Sequence, residues 1–319
     1  MESLGQYNLI GDSPAFRRAC EQIKKFATVD APVFLSGETG TGKELAARAI
    51  HYLGARRNHA FVPVNCGALP EALLESELFG HERGAFTDAK SSAAGLVSEA
   101  NEGTLFLDEV DALSLKAQAA LLRFLQDKTY RRVGGGGMRQ ADVRVVTASN
   151  AKLEQLVKAR QFRQDLWYRL SVLGLQMPAL RERGEDAVKL AKIFLTRYKQ
   201  QYGLHIGGLH AEAEQFIKQY AWPGNVRELE NVIHRESLMC ETPLLQLAGG
   251  HAATPPTNQV AFKAAKAKAV EQFERLYLSD LLERSEGNIS RAARLAGQDR
   301  SAFGRLVRKH GLMRTKEVE

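Results

Sequence analysis

The chain has 319 residues, 44% of them hydrophobic, and a formal net charge of +7 with a pI near 9.3; this is enough apolar material for a sizeable core in two or three domains and excludes a disordered or fibrous chain. No run of about 18 apolar residues is present to span a membrane, and residues 1–7 lack the basic-then-apolar pattern of a signal peptide. Cys20, Cys66 and Cys240 are odd in number, far apart and without metal-ligand spacing, which points to a reduced, cytoplasmic setting, whereas the modest positive charge is compatible with a polyanionic partner without requiring one.

The segment Asn8-Leu9-Ile10-Gly11-Asp12-Ser13-Pro14 combines an apolar touch-point, a turn and an N-cap with proline at the first helical position, predicting a helix through Phe16, Ile23 and Phe26. So little chain precedes it that we expect no amino-terminal sensory domain, and regulation from outside. Pro32 to Ser36 reads as a short buried strand. It runs into Gly37-Glu38-Thr39-Gly40-Thr41-Gly42-Lys43, the spacing of a phosphate-cradling loop. Backbone N–H groups and a helix N-terminus converge on an anion there, and Lys43 reaches the terminal phosphates. Leu45, Ala46, Ala49, Ile50 and Leu53 then repeat at helical spacing, so strand, loop and helix stand in the required order. Glu44 occupies the position where a hydroxyl residue usually touches magnesium.

Phe61 to Val64 is a second strand candidate closing on Asn65, which either caps the strand end or faces the nucleotide. Thr104 to Leu107 is a third, ending in Asp108-Glu109. Carboxylates at the carboxyl end of an apolar strand sit where ligands bind in open α/β sheets. Asp108 then holds the magnesium shell and Glu109 acts as general base on the attacking water, the alternative being two acids that open the next helix. After an amphipathic helix from Leu113 to Leu125, Tyr130 to Val133 and the glycines Gly134 to Gly137 read as a mobile hairpin tip. Val143 to Ala148 is the fourth strand; Asn150, just beyond it, either contacts the γ-phosphate region or is a turn residue. Arg163 and Arg169 lie six apart among apolar residues, suited to stabilising phosphoryl transfer in trans or, alternatively, to two surface ion pairs. Val172 to Met177 is the fifth strand, followed by a helical subdomain. In Trp222-Pro223-Gly224-Asn225-Val226-Arg227, Arg227 falls in the first turn of a helix, where a cation needs a compensating anion.

On these motifs the chain, over roughly residues 8 to 241, resembles the bacterial enhancer-binding proteins, AAA+ ATPases that activate transcription by the sigma-54 form of RNA polymerase. The resemblance implies a parallel P-loop sheet flanked by helices (8–184), a helical lid (185–242), a linker (243–262) and an all-α carboxyl-terminal domain (263–319). It implies ATP and Mg²⁺, an active hexameric ring, and Gly-Lys-Glu as the family's own ending of the phosphate loop. It makes Asp108 and Glu109 the Walker B pair, with the metal held by Asp108 through water, and Asn65 the residue that switches Glu109. Asn150 becomes the sensor beside the γ-phosphate, Arg163 and Arg169 become trans arginine fingers, and Arg227 the second sensor. Gly84-Ala85-Phe86-Thr87-Asp88-Ala89 matches the family's loop that touches sigma-54, with Asp88 in place of a glycine. Phe86, an exposed aromatic without a folding role, and Thr87 are retained. Asp88 adds charge and removes access to positive φ.

Beyond the Pro255-Pro256 linker, Val270, Phe273, Leu276, Tyr277 and Leu281 recur at helical spacing as an apolar face for a partner helix or for dimerisation. Gly287 to Gly297 predicts a capped short helix and Ser301 caps the next, whose Ala302, Phe303, Leu306 and Val307 face inward. This resembles the Fis-type helix-turn-helix, with Ala296 and Gln298 as departures, and implies upstream DNA as a partner. Arg300, Ser301, Arg305, Arg308 and Lys309 are then on or near the recognition helix, and Arg291 and Arg294 meet phosphates. The expected function is ATP-driven remodelling of the sigma-54 holoenzyme. The rival is a DNA-bound regulator or repressor that acts without sigma-54 and uses nucleotide only to assemble. A general unfoldase leaves both the Phe86 loop and the helix-turn-helix unexplained.

Overall fold

A computed structural model of the chain describes residues 2–86, 89–247, 278, 281–282, 285, 288–296, 303–304 and 307. It comprises one unit over residues 1–251 and a second over 252–319. In chain order the first half of the larger unit contains α1 (Glu2–Gly5), α2 (Pro14–Ala27), β1 (Val33–Ser36), α3 (Lys43–Tyr52), β2 (Phe61–Asn65), α4 (Glu71–Phe79), β3 (Gly80–His81), β4 (Ala93–Ala94), α5 (Leu96–Glu99), β5 (Thr104–Asp108) and α6 (Leu115–Asp127). There follow β6 (Thr129–Arg131), β7 (Met138–Gln140), β8 (Arg144–Ser149), α7 (Leu153–Lys158), α8 (Gln164–Leu170), β9 (Leu173–Gln176), α9 (Asp186–Tyr202), β10 (Gly208–Leu209), α10 (Ala211–Gln219), α11 (Asn225–Leu238) and β11 (Leu244–Leu245).

Five strands form one parallel sheet in the order β2-β5-β8-β1-β9. Alternation along each strand divides the apolar side chains between two faces. Val33, Leu35, Phe106, Val146, Ala148 and Leu175 share a core with residues of α2 and α3. Phe34, Leu105, Leu107 and Val145 share another with α4, α6 and α8. Complete burial of such side chains contributes about 1.5–3 kcal/mol each, which fixes the sheet and with it the level of its carboxyl ends. The proline-led α2 starts where the sequence predicts: Ser13 Oγ accepts from the Phe16 N–H at 3.4 Å. The strands expected on either side of the four glycines form the antiparallel β6–β7 hairpin.

Helices α9, α10 and α11 close around Leu190, Phe194, Trp222, Leu229 and Ile233 as a separate helical core, the lid. The expected linker boundary at residue 243 needs correcting here. Leu244 and Leu245 pair in parallel with Gly208 and Leu209, and Leu245 is fully buried in the lid core. The lid therefore extends through at least residue 245, because two leucines can complete a helical core where composition alone shows only the approach of a Pro- and Ala-rich stretch. The rest of the expected linker, 248–262, lies outside the described residues.

His51, at the end of α3, is 1% exposed; its Nδ1 lies 2.9 Å from Thr104 Oγ1. Burial pushes its pKa down, the nearby backbone of His59 opposes this, and the Arg144 cation adds to the lowering. The folded state thus holds a neutral imidazole, whereas an unfolded one protonates near pH ~6.5. A depressed folded pKa means that the stabilisation is complete above pH ~6.5 and is lost as pH falls below it. Denaturation midpoints measured from pH 7.5 to pH 5.5 are expected to fall more steeply in the native protein than in His51→Asn; parallel slopes would refute this account.

In the second unit, α12 (Ile289–Leu295) is capped by Asn288, whose Oδ1 accepts from Ser290 N at 3.0 Å and Arg291 N at 3.1 Å. Leu278, Leu281, Ala292, Ala293, Phe303 and Val307 form its core. Leu281, expected on a face for a partner helix, is therefore packed within its own unit. Phe303 and Val307 are buried as predicted. Val270, Phe273, Leu276, Tyr277, Gln298, Ala302 and Leu306 lie outside the described residues.

Candidate nucleotide-binding site

At the carboxyl end of β1 the chain turns through residues 37–42 into α3, with Gly42 in the left-handed region (φ 92°) at the cap. Lys43 is 9% exposed and curls over the loop, its Nζ donating to Gly37 O at 2.7 Å and Glu38 O at 3.1 Å. Burial lowers its pKa, and Asp108, Glu109 and Asp111 raise it in opposition. A partly dehydrated ammonium between loop carbonyls and carboxylates is a ready partner for phosphate oxygens. Glu44 pairs with Arg48 one turn on, at 2.8 Å, and Arg48 lies over the Phe61 ring at 4.9 Å.

Strand register places Asn65 opposite Asp108 at the ends of β2 and β5. Glu109 follows in a left-handed conformation (φ 54°, ψ 47°), with its N–H donating to Asp108 Oδ1 at 3.0 Å. For a residue with a side chain that conformation costs about 1–3 kcal/mol, and such outliers gather at functional sites. It lays the carboxylate against Gly67, where a Cβ would stand 2.2 Å from Glu109 Oε2 and 3.4 Å from Asn65 Oδ1. Asn65 Oδ1 accepts from Gly67 N at 2.8 Å and Ala68 N at 3.0 Å. The capping role is thus seen directly, and the same cap brings Asn65 to the corner that Glu109 occupies. The neighbouring Cys66 is buried, and burial, with Asp108, Asp111 and Glu109 nearby, pushes its thiol up to about 12. It is inert packing.

Across the loop, Asn150 Nδ2 donates to Thr39 Oγ1 at 3.0 Å, and Thr41 Oγ1 donates to Glu38 O at 2.8 Å. From the lid, Val226 N donates to Gly40 O at 3.1 Å. Gly40 is left-handed (φ 78°), and a Cβ on it would meet Gly224 O at 2.2 Å and Arg227 Cβ at 3.1 Å, so only glycine admits the lid this close. The resulting cleft of ≈ 290 Å³ joins Lys43, Asp108, Glu109, Asn150 and Arg227 at a polar end to Leu9, Ile10, Phe16 and Leu190 at an apolar one. The sequence motifs locate the polar end. They miss the apolar end, whose signal was the Leu9-Ile10 touch-point ahead of Gly11.

That apolar wall is held by a buried knot. Asp186 Oδ1 accepts from Asp12 N at 2.6 Å and Oδ2 from Ser13 Oγ at 2.8 Å. Arg183, paired with Asp186 at 3.2 Å, donates to Ile10 O at 2.5 Å and stacks over the Phe16 ring at 3.8 Å. Asp108 and Glu109 are hard oxygen donors of the kind that share Mg²⁺ with phosphate and water, so the donor set fits that ion bound through few protein contacts. Among the described residues no group of three or more metal-binding side chains would hold one alone.

Arg163 and Arg169 stand at opposite ends of α8, and neither lines the cleft of its own chain. Arg163 pairs with Asp165 at 2.8 Å; Arg169 donates to Leu125 O at 3.3 Å. Tyr168, between them, is 65% exposed. The loop with Gly84, Ala85 and Phe86 projects between β3 and β4, with Gly84 N donating to Ala89 O at 2.9 Å. Phe86 is exposed but not free: its ring meets His81 edge-on at 5.0 Å, a structural role that the sequence did not disclose. Nor is the glycine hairpin simply a tip. A Cβ on Gly134 would lie 2.8 Å from Ala85, and Arg132 pairs with Glu82 at 3.1 Å, so β6–β7 braces the loop from behind. Thr87 and Asp88 lie outside the described residues, as do Arg300, Ser301, Arg305, Arg308 and Lys309. Arg291 and Arg294 are exposed on α12, available to a polyanion.

Comparison with known proteins gives three family matches: a sigma-54 interaction domain over residues 9–176, an AAA+ ATPase lid domain over 181–249, and a bacterial regulatory protein of the Fis family over 269–309. The chain is 40% identical to the regulatory protein AtoC of Escherichia coli, covering 96% of this chain and 68% of that one. It is 42% identical to the alginate biosynthesis transcriptional regulatory protein AlgB of Pseudomonas syringae, covering 94% and 66% respectively. NtrX of Brucella abortus in complex with ADP superposes with a TM-score of 0.73 at 33% identity, over 95% of this chain and 68% of that one. The chain thus spans about two thirds of these relatives. No helix among the described residues is long and apolar enough to cross a membrane.

Proposed function

We propose, for a chain that belongs to the sigma-54-dependent transcriptional regulators, AAA+ ATPases carrying a Fis-type helix-turn-helix, that it binds DNA upstream of a promoter and uses ATP hydrolysis to remodel the sigma-54 holoenzyme. The observation that carries this is one cleft onto which Lys43, Asp108, Glu109, Asn150 and Arg227 converge, with a braced, Phe86-tipped loop outside it. Residues Gly37 to Glu44 cradle the triphosphate, and the apolar wall from Leu9 to Phe16 receives the base. Asp108 would hold Mg²⁺, and the ion would supply neutralisation of charge on the phosphate oxygens. Glu109 takes the proton of the attacking water, and Asn65 sets its orientation. Asn150 and Arg227 sense the terminal phosphate from the sheet and the lid. Arg163 and Arg169, absent from their own cleft, complete that of the next subunit in a hexameric ring. Gly84 to Ala89 deliver the stroke to sigma-54, while Arg291 and Arg294, with Arg300, Ser301, Arg305, Arg308 and Lys309, hold the duplex in a cytoplasmic protein.

The test is open-complex formation on a sigma-54 promoter. ATP-dependent opening by the native protein is expected, and Asp88→Gly should change its rate without changing ATP hydrolysis. Intact hydrolysis and DNA binding with no opening by the native protein would overturn this reading in favour of a regulator that acts without sigma-54.

A further inference from the structure

Between Gly37 and Lys43 the phosphate loop carries one acidic side chain, Glu38, whose carboxylate is turned toward the lid and its hinge. Arg181 lies in the 3₁₀ turn Leu180–Glu182, which joins β9 to α9. It grips Glu38 through both ends of its guanidinium: Nη1 donates to Oε2 at 2.8 Å and Nη2 to Oε1 at 2.5 Å. Asn225, the first residue of α11, is fully buried in a left-handed conformation (φ 53°) that asparagine tolerates better than most residues. Its Nδ2 donates to the same Glu38 Oε2 at 3.1 Å and to Thr39 O at 3.0 Å, and its Oδ1 accepts from Leu180 N at 2.7 Å. One carboxylate and one carboxamide therefore join three separate pieces: loop, hinge and lid.

We infer that Arg181 and Asn225 are positioning residues for the phosphate loop, a latch on Glu38 that fixes the lid over the cleft and must open before a nucleoside diphosphate can leave. The inference rests on the nucleotide reading of the cleft. A half-exposed ion pair alone is a weak contact, but here the pair is bidentate and shares its carboxylate with a buried amide whose other hydrogen bonds are already committed. Arg181 and then Asn225 hold the Glu38 carboxyl down at about 2, so the latch stays charged throughout the neutral range. Two residues after Glu38, Gly40 O accepts the Val226 N–H, and Arg227 follows. Release of Glu38 thus loosens the lid turn that carries Arg227, leaving the Asn225–Thr39 O and Val226–Gly40 O bonds as its remaining ties to the loop, without touching Asp108 or Glu109.

The experiment is stopped-flow release of a fluorescent ADP analogue from the native protein and from Arg181→Gln, Arg181→Lys and Glu38→Gln, each first shown to match the native thermal midpoint. Arg181→Gln is expected to speed ADP release by about tenfold, the equivalent of one strong charge-assisted contact, and Arg181→Lys by less because the fork is lost while the charge remains. In the Glu38→Gln background, Arg181→Gln should change release by less than about twofold, since the charge and the second acceptor oxygen that make the contact bidentate are already gone. Release from Arg181→Gln at the native rate, or an undiminished effect in the Glu38→Gln background, would overturn the latch. Failure of the native protein to bind ADP would instead refute the nucleotide reading itself, and the two failures are distinct.

Discussion

Replacing Arg163 with alanine is expected to lower ATP turnover by about 10³- to 10⁵-fold, the range by which arginine fingers accelerate phosphoryl transfer. Charge on the transferring phosphoryl group is spread over its equatorial oxygens, and a guanidinium brought to it from outside stabilises that spread. Arg163 does not line its own cleft: it sits at the exposed end of α8, paired with Asp165. On the proposed trans role, a neighbour's phosphate would have to compete with Asp165 for the guanidinium. Arg169 should be less tolerant of structural change, because it also holds Leu125 O at the end of α6. Subunit mixing provides the decisive measurement. Chains carrying Lys43→Ala lack a loop cation but keep both arginines, whereas Arg163→Ala chains keep the loop. Each alone should be nearly inactive, and a mixture should regain measurable turnover where an intact loop faces an intact arginine. An Arg163→Ala protein with native turnover, or a mixture no more active than its parts, would show that the sites are not shared.

Asp186→Ala should destabilise the larger unit by about 3–5 kcal/mol, the cost of leaving a buried charge without its partner. Asp186 and Arg183 have side chains only 3% exposed, and the carboxylate accepts from Asp12 N, Ser13 N and Ser13 Oγ besides the guanidinium. Loss of the carboxylate strands Arg183, whose burial already disfavours its charge. A fall in thermal midpoint on the order of 10 °C follows for a domain of this size. Asp186→Asn keeps an acceptor for the backbone donors and should lie between the two. Because Ile10 and Phe16 are fastened by the same knot, nucleotide affinity should drop with stability. A change below about 1 kcal/mol would mean that the knot is replaceable by water.

The sequence exposes what repeats at short range. Five apolar runs of strand length, the proline-led start of α2 and the spacing around Lys43 each depend on neighbours a few residues away, and each was legible. The position of Asp108 at the cleft was legible because apolar strands end in polar residues at one level of a parallel sheet, whereas Asn150 kept two readings, and the structure adds that it lines the cleft and donates to Thr39 Oγ1. Asn65 allowed two readings in sequence, and the capping geometry beside Glu109 joins them. What stayed hidden depends on distant partners. Nothing near Asp186 indicates that it will cap Ser13, and nothing near Glu38 indicates Arg181. Gly134 reads as a hairpin tip until Ala85 arrives against it, and Leu245 reads as linker until β10 supplies its strand. Phe86 was read as an exposed aromatic of the loop that resembles the sigma-54 contact; His81, which its ring meets, was five residues away but outside any helical or strand period that would have linked them.

The contacts of Asn225 set an order of events during synthesis. Its amide holds Glu38 and Thr39 across 187 and 186 residues of chain. At 5–20 residues per second, about 10 to 40 s separate translation of the loop from that of the side chain that secures it. Over that interval all five strands of the parallel sheet are made while the loop still lacks its clasp. If that latch retains nucleotide as inferred above, secure retention comes late to the nascent chain, after the lid has left the ribosome, so a partly made subunit would have a poor hold on the fuel that the finished one uses.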